Sequence, residues 1–276
     1  LKNYAHYLEM ITNKRPHTLP AEQEKLIADA GDALGVSENT FNVLTNSDME
    51  YGYVQDDDGN MEQLSDGLYS LLIQSQNRDV RKGAFDTLYA TYGQFQNSLA
   101  STLSGVVKKH NYNAKAHKYN SARQAALAAN GVPEAVYDTL IKEVDSHLDL
   151  LHRYVALRKK ILGLKDLQMW DMYVPLTGKP SLSYDFEEAK EVAKKALKPL
   201  GEDYLKHVDY IFNNRVIDPV ESKGKVTGAY SGGAYDTDPY ELLNWENNID
   251  SLYTLVHETG HSVHSWYTRN TQPYVY

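Results

Sequence analysis

Ile249-Asp250-Ser251-Leu252-Tyr253-Thr254-Leu255-Val256-His257-Glu258-Thr259-Gly260-His261-Ser262-Val263-His264-Ser265-Trp266-Tyr267 is the stretch from which the rest of the chain is best read. Ile249, Leu252, Tyr253, Val256, Gly260, Val263 and Tyr267 recur at 3.6-residue spacing, which predicts one amphipathic helix with that stripe buried. Asn248 or Asp250 is expected to cap it, and the pattern continues to about Thr268. Thr254, His257, His261 and His264 form the adjoining stripe.

His257 and His261 therefore lie one turn apart, about 6 Å along the axis and facing the same way. Two imidazoles at that spacing can converge on one ion, each nitrogen about 2.0–2.1 Å from it. Glu258, one position on, points beside such an ion, where it can accept a proton from water held there. The candidate assignments are His257 and His261 as metal ligands and Glu258 as general base, in H-E-x-x-H order, with Gly260 leaving room for close packing of the helix. The competing reading is two surface histidines on a structural helix. His264 lies about 10.5 Å from His257 along the axis, too far for all three rings to share one small ion. It is given a structural or hydrogen-bonding role. The longer pattern that extends this motif with glycine and a third histidine fails at His264 and Tyr267. A catalytic site of this type uses three protein ligands. No His, Asp or Glu follows His264, and upstream Asp236, Asp238, Glu241 and Glu246 stay open as alternatives.

Working outward, Gly228, Gly232 and Gly233 are interleaved with Tyr230 and Tyr235, so the segment from Gly224 to Tyr240 reads as a strand or hairpin with tight turns. Most of the remaining chain shows helical periodicity. Helices are expected from Lys2 to Asn13, from Pro20 to Gly31–Gly35, from Asp79 to about His110, from Pro133 to about Leu162, from Tyr184 to Leu197 and from Glu202 to Asn213. Ser37 reads as an N-cap, and Met169 to Leu176 as a short extended piece. Between Tyr51 and Leu64, alternation around Asp56-Asp57-Asp58-Gly59-Asn60 predicts a β-hairpin. That acidic run lacks the alternating order and the closing glutamate of a calcium loop. No fixed-period repeat is visible, which counts against a solenoid.

Composition narrows the classes. A chain of 276 residues, 42% hydrophobic and 24% charged, can bury a substantial core. Cysteine is absent, so any metal must be held by histidine and carboxylate. The net charge of -9 argues against a nucleic-acid partner, and Arg158-Lys159-Lys160, the densest basic run, reads as a solvated helix end. No run of about 18 apolar residues exists, and Leu1 to Arg15 lacks the features of a secretory signal. The expectation is a cytoplasmic protein that does not engage a membrane. Tyrosine is abundant, at 22 residues against 5 phenylalanines, which suits a peptide-handling surface and a wet core equally. Ser231 as a hydrolase nucleophile would need glycine at Ala229. A phosphate loop near Lys223-Gly224-Lys225 would need glycine at Pro219 and a hydroxyl residue after Lys225.

Several of these stretches together resemble the oligoendopeptidase F family, relatives of thimet oligopeptidase and neurolysin. They are Leu151-His152-Arg153-Tyr154, Leu157-Arg158-Lys159-Lys160, Asp171-Met172-Tyr173-Val174-Pro175, Lys198-Pro199-Leu200-Gly201, Gly224-Lys225, Gly228-Ala229-Tyr230-Ser231-Gly232 and His257 to Ser265. The resemblance covers essentially the whole chain. It implies a mainly α, elongated, multi-helix oligopeptidase architecture with a small β-hairpin and short β-strands near the active site. It also implies a zinc metalloendopeptidase acting on short unfolded peptides, with Zn2+ on His257 and His261 and Glu258 as base. Gly228, Ala229, Tyr230, Ser231, Gly232 and Gly233 would bind substrate backbone as an added strand. The third zinc ligand and the oxyanion donors would lie beyond Tyr276, making this an internal fragment. Residues 1–75 would then belong to an N-terminal helical and hairpin region, and 76–276 to the first part of the catalytic domain. The isolated 276 residues would bind zinc weakly and turn over little. The competing class is a non-catalytic helical peptide-binding or scaffold module with a vestigial metal motif. Nothing in the sequence specifies a self-association state.

Overall fold

The computed structural model describes residues 2–178, 182–222 and 224–276. Leu1, and Lys223 of the discounted phosphate loop, lie outside the described residues. Along the chain the helices are α1 (Ala5–Lys14), α2 (Ala21–Asp29), α3 (Gly31–Val43), α4 (Asp66–Leu72), α5 (Arg78–Gln94), α6 (Gln96–Ala116), α7 (Ala122–Ala129), α8 (Glu134–Ser146), α9 (Leu148–Ile161), α10 (Phe186–Leu197), α11 (Glu202–Asn213) and α12 (Ile249–Thr271). The strands are β1 (Tyr53–Gln55), β2 (Met61–Gln63), β3 (Ile217–Asp218), β4 (Tyr230–Gly232) and β5 (Tyr240–Leu242). The fold is mainly α with a few short strands, as the periodicity predicts.

The described residues group into two compact units, one holding the chain up to Gly52 with Asp86–Met172, the other Tyr53–Phe85 with Tyr173–Tyr276. In the first, Ser37 caps nothing. It sits inside α3, because α3 packs so closely on α6 that a β-carbon on Gly105 would lie 2.6 Å from the Ser37 β-carbon. The contact with α6 carries the helix through Gly35 despite its poor helical propensity. The single helix expected over 79–110 is instead α5 and α6, broken where Phe95 leaves helical geometry. The one expected over 133–162 is α8 and α9. There the Ser146 hydroxyl and the His147 Nδ1 both donate to the Glu143 carbonyl, at 2.9 and 2.7 Å, and the His147 amide turns to Val144. Local side-chain bonding has replaced a helical one. Arg158 departs from the expected solvated helix end: it is only 5% exposed, and its guanidinium donates to the buried Asp171 carbonyl at 2.9 Å. Met169–Asp171 is a turn of 3-10 helix rather than an extended piece.

In the second unit β1 and β2 pair antiparallel with Val54 opposite Glu62, as expected. Asp56 Oδ1 accepts from the Asp58 and Asn60 amides, so the acidic cluster closes its own turn. The other sheet has the order β3-β5-β4, with β3 parallel and β4 antiparallel to β5. Strand β3, two residues long, carries no readable alternation and is visible only in the fold. Helix α12 packs against this sheet and α10 and α11 pack on α12, around a core that includes Val208, Ile211, Leu243, Leu255 and Val263. A capping box starts α10, with the Glu188 amide on Asp185 Oδ1 at 2.8 Å.

Gly105→Ala is expected to destabilise the protein by about 1–3 kcal/mol, because two packed helix backbones would have to separate. A Gly105→Ala/Ser37→Gly double variant should recover part of that loss. Urea unfolding of the four proteins in the cycle reads the coupling, and purely additive effects would contradict the contact.

Candidate active site

Helix α12 begins where the Asn248 side chain accepts from the Ser251 amide at 2.8 Å, while the Ser251 hydroxyl accepts from the Glu246 amide at 3.1 Å. Asp250 in the first turn and Arg269 in the last match the helix dipole. The buried face differs from the expected stripe. It runs through Ser251, Leu252, Leu255, Glu258, Thr259, Ser262 and Val263, and Tyr253 is 71% exposed. The periodicity counted apolar residues, whereas the helix turns small hydroxyl side chains toward the sheet, where they meet a carboxylate. Gly260 does not serve close packing either, since a β-carbon there would meet only the Tyr204 hydroxyl, at an ordinary 3.9 Å.

Both predicted histidines lie on the exposed face of α12. Their Nε2 atoms approach to 3.1 Å, with ring planes at 81°. Two nitrogens, each ~2.05 Å from a tetrahedral ion, lie roughly 3.3 Å apart, so the rings already stand at the separation a shared ion requires. Glu258 follows on the flank of this face and is 8% exposed. The pair and its neighbour therefore fit a divalent metal as two of its ligands with an adjacent carboxylate. Among the described residues no group of three or more His, Cys, Asp or Glu is arranged to hold an ion. Of the carboxylates left open by the sequence, Asp238 accepts from the Tyr210 hydroxyl at 3.1 Å and Glu246 from the Asn248 amide group at 3.2 Å. Glu241 engages Thr259 and Ser262. At 100° per residue those positions lie on the side of α12 turned away from His257 and His261. His264 is exposed.

The glycine-rich segment forms β4 at an edge of its sheet, joined to β5 through the turn at Ala234–Thr237. Its six candidate residues play different parts. Gly228 adopts φ +83, a left-handed geometry that favours glycine. Ala229 packs against the core, and Tyr230 is 53% exposed. Gly232 pairs with Tyr240. Gly233 is required by space, because a β-carbon there would lie 2.6 Å from the Asp238 carbonyl oxygen. Ser231 turns inward and shares a 2.9 Å hydrogen bond with Ser262.

Thr259 and Ser262 had no expected role, and Glu241, left open as a metal ligand, is engaged by them instead. Glu241 is 2% exposed, and Thr259 and Ser262 are fully buried. Ser262 donates to Glu241 Oε1 at 2.6 Å, and Thr259 to Oε2 at 3.5 Å. Burial pushes the Glu241 carboxyl up to about 7, against the Ser262 hydrogen bond, with the nearby Glu258 charge raising it further. Tyr204 is also shifted upward, by burial and then by Glu241. A readable signal existed: alternation along Tyr240-Glu241-Leu242-Leu243 puts Glu241 on the same face as buried Leu243.

The H-E-x-x-H pair and edge strand β4 are thus carried on a mainly helical scaffold. Comparison with known sequences is specific. The sequence model of Peptidase family M3 matches residues 71–276, that of Oligopeptidase F matches residues 1–51, and the chain belongs to Peptidase family M3. It is 51% identical to Oligopeptidase PepF of Bacillus subtilis (strain 168), over 100% of this chain and 41% of that protein. It is 48% identical to Group B oligopeptidase PepB of Streptococcus agalactiae, over 100% of this chain and 46% of the relative. The crystal structure of oligoendopeptidase-F from Enterococcus faecium superposes with a TM-score of 0.68 at 41% identity, covering 97% of this chain and 43% of that one. The chain thus spans less than half the length of these relatives.

The raised Glu241 carboxyl has a consequence for stability. The folded state keeps this proton up to about pH 7, while the unfolded chain releases it near 4.5. The group's contribution is therefore full below pH 4.5 and lost as pH rises through about 7. Glu241→Gln should leave the melting temperature near wild type at pH 5 and raise it at pH 8. Equal shifts at both pH values would contradict this.

Proposed function

We propose that the protein containing this chain is a zinc metalloendopeptidase that hydrolyses peptide bonds in short, unfolded oligopeptides. The observation that carries the reading is the 3.1 Å approach of the His257 and His261 Nε2 atoms with the buried Glu258 carboxyl one position on. Membership of Peptidase family M3 and similarity to oligopeptidases PepF and PepB support it. His257 and His261 would hold the zinc, which when bound acidifies water and polarises a carbonyl. Glu258 takes a proton from the attacking water and passes it to the departing amine, so water's hydroxyl ends on the new carboxyl and its proton on nitrogen.

Edge strand β4, within Gly228–Gly233, binds the substrate backbone as an added strand, a mode that recognises peptide more than side-chain identity. Residues 76–276 contribute the first part of the catalytic domain and 1–75 an N-terminal region. We assign the third ligand and the oxyanion donors to polypeptide outside these 276 residues, and the enzyme to the cytoplasm, without nucleic-acid or membrane partners. No helix among the described residues is long and apolar enough to cross a membrane.

In the full-length protein, Glu258→Gln should lower kcat by about 10²–10⁴-fold while zinc content stays at wild-type level. His257→Ala should lose the metal as well. Retained turnover in Glu258→Gln would assign this face to a non-catalytic role. For the isolated 276 residues, titration calorimetry should show zinc binding far weaker than in the full-length protein, since two histidines are one ligand short. Comparable affinities would contradict the missing third ligand.

A further inference from the structure

One buried polar cluster has no part in the chemistry just described. Glu241, Thr259 and Ser262 lie at the interface between sheet and helix, a position that apolar side chains ordinarily fill, and the same strand and helix also bury Leu243, Leu255 and Val263. Burying a carboxylate among them is unfavourable, and apolar residues of similar volume commonly serve such positions as well or better. What the polar group adds is direction.

The hydrogen bonds join three elements at one atom. Ser262 Oγ, on α12, donates to Glu241 Oε1 on β5 at 2.6 Å and shares a 2.9 Å bond with Ser231 Oγ on β4. A hydroxyl has a single proton, so while Ser262 gives its proton to Glu241 it accepts from Ser231. Ser231 and Glu241 are also direct cross-strand partners, which places both side chains on the sheet face that α12 covers. The triangle Ser231–Ser262–Glu241 therefore closes on itself, with strand pairing as its third side. Apolar contacts tolerate a sliding or turning helix, whereas these bonds hold only within a few tenths of an ångström and a narrow range of angles.

We propose that Ser231, Ser262 and Glu241 are positioning residues that lock strand β4 to α12, so that a peptide lying along β4 is held in register with Glu258 and the histidine pair. This rests on the peptidase reading of the site. None of the three need touch substrate. Ser231, which sequence reasoning assigned to substrate binding, acts inward on the helix, and its backbone alone serves the peptide.

The test uses the full-length, zinc-loaded protein with a quenched fluorescent peptide of about eight residues. Ser231→Ala and Ser262→Ala should each lower kcat by about tenfold or more, since small misplacements of reacting groups have effects of this size. Zinc content should be unchanged; the melting temperature should stay near wild type in Ser231→Ala and fall modestly in Ser262→Ala, which takes the close donor from buried Glu241. The double variant should lose no more than the worse single, because both break one chain, and Ser231→Thr should restore turnover by restoring the hydroxyl. Glu241→Leu should match or exceed wild type in thermal stability and yet be as impaired as Ser262→Ala, a split that a purely structural role would not produce. In the zinc-free protein, amide exchange at residues 230–232 should quicken in Ser231→Ala. Full turnover in either serine variant, losses that multiply in the double variant, or a fully active Glu241→Leu would overturn the proposal. Wild-type protein that cleaves normally beside unaffected serine variants refutes the lock alone, whereas wild-type protein that does not cleave the peptide refutes the peptidase reading and the lock with it.

Discussion

Helical periodicity acts twice on α12. A repeat of 3.6 residues brings His257 and His261 to one side, one turn apart, and sends Thr259 and Ser262 to the other, with Glu258 between the two faces. The rotation of this one helix about its axis therefore decides at once where the imidazoles point and which hydroxyls meet the sheet. The 3.1 Å nitrogen separation and the 2.6 Å Ser262–Glu241 bond are two readings of the same angle.

Stability and direction come from different side chains at that interface. Leu243, Leu255, Val208 and Val263 remove apolar surface from water, a force that is strong and nearly indifferent to angle. Glu241 and its hydroxyl partners reduce stability at neutral pH, because a carboxyl with few donors in a dry setting resists ionisation. They restrict the geometry instead. The surface is open in two places: both histidines are exposed on the side of α12 turned from Thr259 and Ser262, and Tyr230 stands in solvent on the face of edge strand β4 opposite Ser231.

Elsewhere the departures from expectation share a cause. The breaks at Phe95 and His147 lie inside stretches whose apolar spacing is continuous, and periodicity carries no record of a carbonyl captured by Ser146 and His147. Ser37 has the chemistry of a cap, yet the close approach of α6 at Gly105 keeps α3 running through it. Arg158 reads as surface because its neighbours are basic, and only the fold brings the Asp171 carbonyl to it.

What the chain itself determined is the set of features that depend on neighbours a few residues away. These are its mainly helical character, the hairpin whose turn Asp56 closes with its own side chain, the capping of α12 by Asn248, and the spacing of His257, Glu258 and His261. Local geometry suffices for each. The tertiary structure alone decided which face of α12 is buried, that Glu241 meets Ser262 across 21 positions and that Ser231 looks inward. Hydrogen bonds between distant segments leave no period in a sequence, and a buried acid is readable only once the surface covering it is known.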